Sequence, residues 1–158
     1  MGETPYLRLD TAVLDRNLAA MAAHAASAKL ALRPHAKTHK CPQVAQRQLA
    51  AGAVGLTVAT IGEAEVFAAH GAGDLFIAFP LWVDAEDAAR LRRLAEAPTV
   101  LAVGCDSLAG GRNLAGLPVE VLVEIDSGHH RSGVVPAEAG RLAAGLADLG
   151  LSVRGVFT

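Results

Sequence analysis

Aromatic side chains are scarce: four Phe, one Tyr and one Trp make up 4% of the 158 residues. The core must therefore be aliphatic, and the 52% hydrophobic fraction is rich in Ala, Val and Leu. There are only two cysteines, Cys41 and Cys105. Two thiols do not make a disulfide framework, so a reduced, cytoplasmic setting is expected. Charge of one sign is not in excess. The net charge is -2, with no basic tail and no charge block, which argues against nucleic acid as a main partner. No apolar run reaches the roughly 20 residues of a membrane span. Met1-Gly2-Glu3-Thr4-Pro5 lacks a basic stretch leading into an apolar one, so no secretory signal and no membrane partner are expected. Phosphate-binding GxxxxGK[ST] and GxGxxG loops are missing, Gly110-Gly111 included, and so is a GxSxG nucleophile elbow.

The most unusual stretch is Arg33-Pro34-His35-Ala36-Lys37-Thr38-His39-Lys40. It follows the apolar-leaning run Lys29 to Leu32 and precedes Cys41-Pro42, where a helix can start with Pro in its first turn. This predicts a strand over Lys29–Lys37 and a loop after it. Strand alternation places Arg33, His35 and Lys37 on one face. Three basic groups on a core strand are costly to bury unless something pairs with them. Burial also lowers a lysine pKa and makes the amine nucleophilic. A bound anionic cofactor such as pyridoxal phosphate answers both points; a basic, solvated strand end answers the first.

Taken in order, Tyr6 to Leu9 reads as a short strand. Asp10 or Thr11 caps a helix from Ala12 to about Ala28, with Val13, Leu14, Leu18 and Met21 at helical spacing. Helices follow over Gln43–Ala51, over Gly62–His70, from Asp84, weakly from Asp106 or Ser107 with an interruption at Gly110-Gly111, and over Pro136–Leu149. Strands are expected at Gly55–Thr60, Asp74–Phe79, Thr99–Val103, Val119–Asp126 and Leu151–Thr158. Strict alternation implies βαβ units and a parallel sheet. The strands carry polar groups on one face and β-branched groups on the other. An open doubly wound sheet has strands apolar on both faces, so a barrel with a polar interior near its mouth fits better. The fold class is α/β, a (β/α)8 TIM-type barrel, here with about six barrel strands.

In such a barrel chemistry collects where strands end. Arg33, His35 and Lys37 end the first barrel strand; Thr57 and Thr60 end the second. Glu124 and Asp126 end the fifth, followed by His129, His130 and Arg131, and Thr158 ends the sixth. Bases and acids on one face can also neutralise each other as an ion-pair network. His35 and His39 are four apart, but across a strand end that spacing does not bring two rings onto one metal. Trp82 and Phe79 read as core or loop packing, His24 and His70 as helix surface.

Arg-Pro-His-Ala-Lys-Thr-His-Lys-Cys-Pro, with Thr57-Val58-Ala59-Thr60-Ile61-Gly62-Glu63-Ala64-Glu65 and Val123 to Val134, resembles the D-threonine aldolase and D-serine dehydratase-like family. These are fold-type III pyridoxal phosphate enzymes with an alanine racemase N-terminal barrel. The resemblance spans essentially the whole chain. It implies a lyase acting on β-hydroxy D-amino acids, with Lys37 holding pyridoxal 5'-phosphate as a Schiff base and serving as the catalytic lysine. It places Arg131 beside the phenolic oxygen of the cofactor. Arg33, His35 and Thr60 join the cofactor pocket. Strand phase, read separately, favours Lys37 over Lys40.

Family members are more than twice as long. Their last barrel strands, C-terminal β domain, most of the phosphate cradle and the ligands of a divalent metal, Mn or Zn, lie beyond the matching segment. No metal ligand is assigned within residues 1–158, and a homodimer is expected of the full-length protein. Two other readings stay open: an amino-acid racemase on the same barrel, and a non-catalytic pyridoxal phosphate carrier. Six readable strands do not close a barrel, so a fragment without activity of its own is expected.

Overall fold

The computed structural model describes residues 4–96 and 98–158, and the reading of Met1 to Glu3 lies outside them. Asp10 caps the first helix, α1 (Thr11–Ser27), by accepting from the Val13 N–H at 3.0 Å. Cys41 precedes α2 (Pro42–Ala50), which carries Pro in its first turn, where a missing N–H costs nothing. From there strand and helix alternate: β1 (Leu56–Val58), α3 (Ile61–Ala69), β2 (Asp74–Pro80), α4 (Ala85–Glu96), β3 (Val100–Cys105), α5 (Leu108–Leu114), β4 (Glu120–Glu124), α6 (Ala139–Asp148) and β5 (Ser152–Phe157). The five strands pair in chain order, all parallel, as helical crossovers between neighbours require.

One face of this sheet is the core. Leu56, Val58, Leu75, Ile77, Leu101, Val103, Val121 and Val123 are all essentially inaccessible. They form one cluster with Ala64 and Phe67 of α3, Leu91 and Leu94 of α4, Leu114 of α5, and Leu142 and Leu146 of α6. Burying a side chain of this size stabilises by about 1.5–3 kcal/mol, so this layer is the main source of stability. The intervening residues face the other way. They include Thr57, Asp74, Phe76, Glu120, Leu122 and Glu124, with Phe76 edge-on to Phe157 at 4.9 Å between centroids. This is the apolar-out, polar-in pattern of a barrel wall.

Several expectations change. Tyr6 to Leu9 is not a strand: its side chains are exposed and no sheet partner holds it. Lys29–Lys37 is not a regular strand. Lys29 adopts a left-handed conformation (φ 55°), and Ala36–Thr38 is a 3-10 turn. Between them the chain runs extended beside β1, held by Val54 N–H to Leu32 O at 2.9 Å, Thr57 N–H to Pro34 O at 2.8 Å and a parallel bridge between His35 and Thr57. Finally, α5 runs through Gly110-Gly111 without a break. Both glycines are buried, and a Cβ on Gly111 would stand 2.2 Å from Leu146 Cδ2, so the glycine lets α5 lie close to α6. Of the two readings of Phe79 and Trp82, core or loop packing, the core one does not hold, because they are 49% and 71% exposed.

Candidate functional site

Two groups of side chains stand at the carboxyl ends of the strands, where βα loops leave the sheet. The first is built on the segment beside β1. His35 is half-buried, and its Nδ1 accepts the Lys37 N–H at 3.3 Å, fixing the start of the turn that carries Lys37. Burial pushes the His35 pKa down, and the Lys37 ammonium pushes it further; Glu63 and a backbone contact to Thr57 oppose this without reversing it. The imidazole is therefore neutral at pH 7.

Lys37 is exposed and has no carboxylate partner among the described residues. Its position on a turn removes the strand-phase argument that favoured it over Lys40. A different distinction replaces that argument. Lys40, in a left-handed conformation (φ 46°), ion-pairs through Nζ with Glu63 Oε1 at 3.0 Å. Of the three cationic side chains in the motif, Arg33, Lys37 and Lys40, only Lys37 is without an ion pair among the described residues.

Glu63 joins the loops together. Its Oε2 accepts the Ala59 N–H at 2.8 Å. Burial raises its pKa, but the Ala59 N–H and Lys40 outweigh burial and hold the carboxyl below its usual range. Thr60 Oγ1 accepts the Glu63 N–H at 3.1 Å and caps α3. The Thr-x-x-Glu spacing of a helix start signals this pair in the sequence, although the carboxylate reaches Ala59 rather than the cap residue. His39 is committed elsewhere: Nδ1 accepts the Cys41 N–H at 3.0 Å, Nε2 meets Gln48 Oε1 at 3.2 Å, and the ring lies edge-on to Phe67.

Arg33 does not reach this group. It shares a face with His35 but points to the opposite end of the sheet. There its guanidinium grips Asp74, the first residue of β2, at 3.0 Å and 2.6 Å. Arg154 also contacts Asp74, and contacts Glu120 at 3.3 Å. Burial raises the Asp74 pKa, but the two guanidinium groups more than offset it and leave it lowered. Arg33 therefore belongs to an ion-pair network at the amino ends of the strands, the arrangement that mixed acids and bases on one face allow.

The second group lies beyond β4. A cleft of about 180 Å³ is lined by Glu124, Ile125, Asp126, Ser127, His129, Arg131, Ser132 and Thr158. Asp126 Oδ1 accepts the backbone N–H groups of Gly128 and His130 at 2.9 and 3.0 Å, and Oδ2 meets His130 Nδ1 at 2.7 Å. These bonds lower the Asp126 pKa to about 2. They also hold His130 in a left-handed conformation (φ 57°). Ser127 and Thr158 join their hydroxyls across the cleft. Arg131 is exposed and makes no ion pair or hydrogen bond among the described residues. His35 and Lys37 are thus brought together, with Thr60 and Glu63 at the start of α3 nearby, whereas Arg131 sits in a separate cleft at the same end of the sheet.

Residues 9–158 match the family described as alanine racemase, N-terminal domain. D-threonine aldolase of an Arthrobacter species is 40% identical over 136 residues, covering 84% of this chain and 36% of that protein. D-threo-3-hydroxyaspartate dehydratase of a Delftia species is 36% identical over 171 residues, covering 99% and 43%. Among solved structures, D-threonine aldolase from Filomicrobium marinum superposes with a TM-score of 0.92 at 39% identity, covering 98% of this chain and 43% of that one. The chain spans less than half the length of each of these proteins. With a parallel strand–helix sheet that superposes on such an enzyme, and a family match from residue 9 to residue 158, this chain belongs to the alanine racemase N-terminal domain family.

Proposed function

We propose that this chain is the lysine-bearing barrel portion of a pyridoxal-phosphate-dependent lyase acting on β-hydroxy D-amino acids. The observation that carries the reading is the state of the motif's lysines and arginine: among the described residues Lys37 alone of Arg33, Lys37 and Lys40 is unpaired, at the carboxyl end of the sheet. The named relatives, two aldolases and a dehydratase of hydroxy D-amino acids, support the substrate class.

The residues present fit the cofactor. An anionic aldehyde requires a primary amine that no carboxylate holds, and Lys37 supplies it. It also requires cations free to meet anionic oxygens, and Arg131 is one. When bound, pyridoxal phosphate supplies an electron sink for the pair left on Cα. The chain's own residues do the rest. Lys37 Nζ would hold the cofactor, and would hold or move a proton at the substrate Cα. His35, kept neutral by burial, holds the Lys37 turn through Nδ1 without adding a second charge beside the amine. Glu63 keeps Lys40 away from that role. Thr60 and Glu63 fix the adjoining loop. Arg131 would steady an anionic oxygen of the cofactor. Cleavage of Cα–Cβ gives glycine and an aldehyde; loss of the Cα proton and the β-hydroxyl is dehydration. For a metal the donor set does not fit: no group of three His, Cys, Asp or Glu side chains is suitably placed among the described residues, and no step here depends on one.

The test is covalent trapping. Borohydride reduction of the protein loaded with pyridoxal phosphate, followed by peptide mass spectrometry, should place the pyridoxyl mass on Lys37. Lys37→Ala should lose the label and the visible absorption band, and Lys40→Ala should keep both. A label on Lys40 would overturn the assignment. Assays with D-threonine, D-serine and both alanine enantiomers then separate aldolase, dehydratase and racemase.

A further inference from the structure

Glu124 ends β4 on the inner face, and its two carboxylate oxygens differ in their surroundings. Oε1 accepts from Ser132 Oγ at 3.0 Å. Oε2 is buried and has no hydrogen-bond partner among the described residues. Folded proteins rarely leave a buried acceptor unmatched without a reason. The same cleft contains an unmatched donor, the exposed guanidinium of Arg131. Asp126 cannot serve Arg131 equally well, because both of its oxygens are already taken by Gly128 and His130. The loop that carries Arg131 returns to Glu124 itself. Val134 N–H donates to Glu124 O at 2.9 Å, Asp126 N–H donates to Val134 O at 2.9 Å, and Gly133 N–H donates to Asp106 Oδ2 at 3.3 Å.

We infer that Glu124 is a positioning residue for Arg131: its Oε2 receives the guanidinium and fixes the direction from which Arg131 meets an anionic oxygen of the cofactor. The inference rests on the reading that Arg131 faces the phenolic oxygen of bound pyridoxal phosphate. A guanidinium has five donors in a planar fork, so it can hold a carboxylate on one edge and a second oxyanion on the other. Ser132 holds Oε1 and keeps the carboxylate from turning away.

The experiment uses the protein loaded with pyridoxal phosphate and follows the pH midpoint of its visible band. Arg131→Leu should move the midpoint by about one pH unit or more. Glu124→Gln, nearly isosteric, should move it in the same direction and by less. The double variant should titrate like Arg131→Leu alone, because Glu124 acts only through Arg131. Glu124→Asp retains the charge but shortens its reach, and should also shift the midpoint; it carries the test if the Gln variant does not fold. A midpoint that moves in Arg131→Leu but in neither Glu124 variant leaves the Arg131 reading standing and overturns this inference. Additive shifts in the double variant overturn it too. Unmoved midpoints in every variant overturn both. A purely structural Glu124 would lower stability and leave the titration unchanged.

Discussion

Asp126 shows how much a single side chain can organise at this site. It accepts two backbone N–H groups and one imidazole, first among them the His130 N–H, and these hold its pKa at about 2. An unfolded aspartate titrates near about 3.9. Because folding lowers the pKa, the contribution of Asp126 is fully present above the unfolded value and is lost as the pH falls through about 2. Carboxyl-carbon NMR should find the Asp126 midpoint near that value. His130→Ala removes the imidazole contact and should raise the midpoint toward the usual range; an unchanged midpoint would show that the backbone contacts alone set it. His130 itself adopts a left-handed conformation that an ordinary residue avoids, and the bonds to Asp126 hold it there. None of this is visible from residue types. The sequence marks Asp126 and His130 as polar and adjacent to a strand end, but an i,i+4 pair in a loop has no fixed geometry until the turns between them are set.

Among the elements, the segment beside β1 departs most from its sequence reading. Arg33 and His35 alternate as a strand predicts, and Arg33 reaches Asp74 only because Gly55 lies beneath it. A Cβ on Gly55 would stand 2.3 Å from Arg33 Nη1 and 2.5 Å from the Asp74 carbonyl oxygen. The guanidinium can move; the backbone carbonyl of a paired strand cannot do so cheaply. Gly55→Ala should therefore destabilise by about 1–3 kcal/mol. Gly140→Ala in α6, where nothing lies within 4 Å of the new Cβ, should be neutral or slightly stabilising. Urea unfolding midpoints of the two variants decide the matter, and equal midpoints would mean that the strand end yields. The extended run itself stops at His35. Its imidazole captures the Lys37 N–H and turns the chain into a 3-10 helix, so alternation cannot be carried through to Lys37. A two-residue period read from sequence does not register a side chain that competes for backbone hydrogen bonds.

Across the whole molecule, the sheet has a buried helical side and a polar inner side, and among the described residues its strand order does not close on itself. β5 pairs with β4 on one side only, and Val156 on its outer face is 56% exposed. Unpaired, apolar strand edges invite association. These 158 residues expressed alone should self-associate with increasing concentration in light scattering. Val156→Lys should reduce that tendency; a concentration-independent monomer would count against the edge as its cause. At this scale much was legible in the sequence. Strand–helix alternation, one apolar face per strand and Gly or Asp at the turns fixed a parallel α/β sheet, and the Arg-Pro-His-Ala-Lys-Thr-His-Lys stretch singled out the turn at the end of the extended segment beside β1. Burial and hydrogen-bond periodicity are local, so they can be read from a local pattern. The pairings were not: Arg33 with Asp74, Lys40 with Glu63, Ser132 with Glu124. Tertiary structure alone decided which cations are neutralised and that, among the described residues, Lys37 and Arg131 at the carboxyl ends of the strands have no ion pair. A charge finds its partner through space, across loops and strands whose separation along the chain carries no information about their distance.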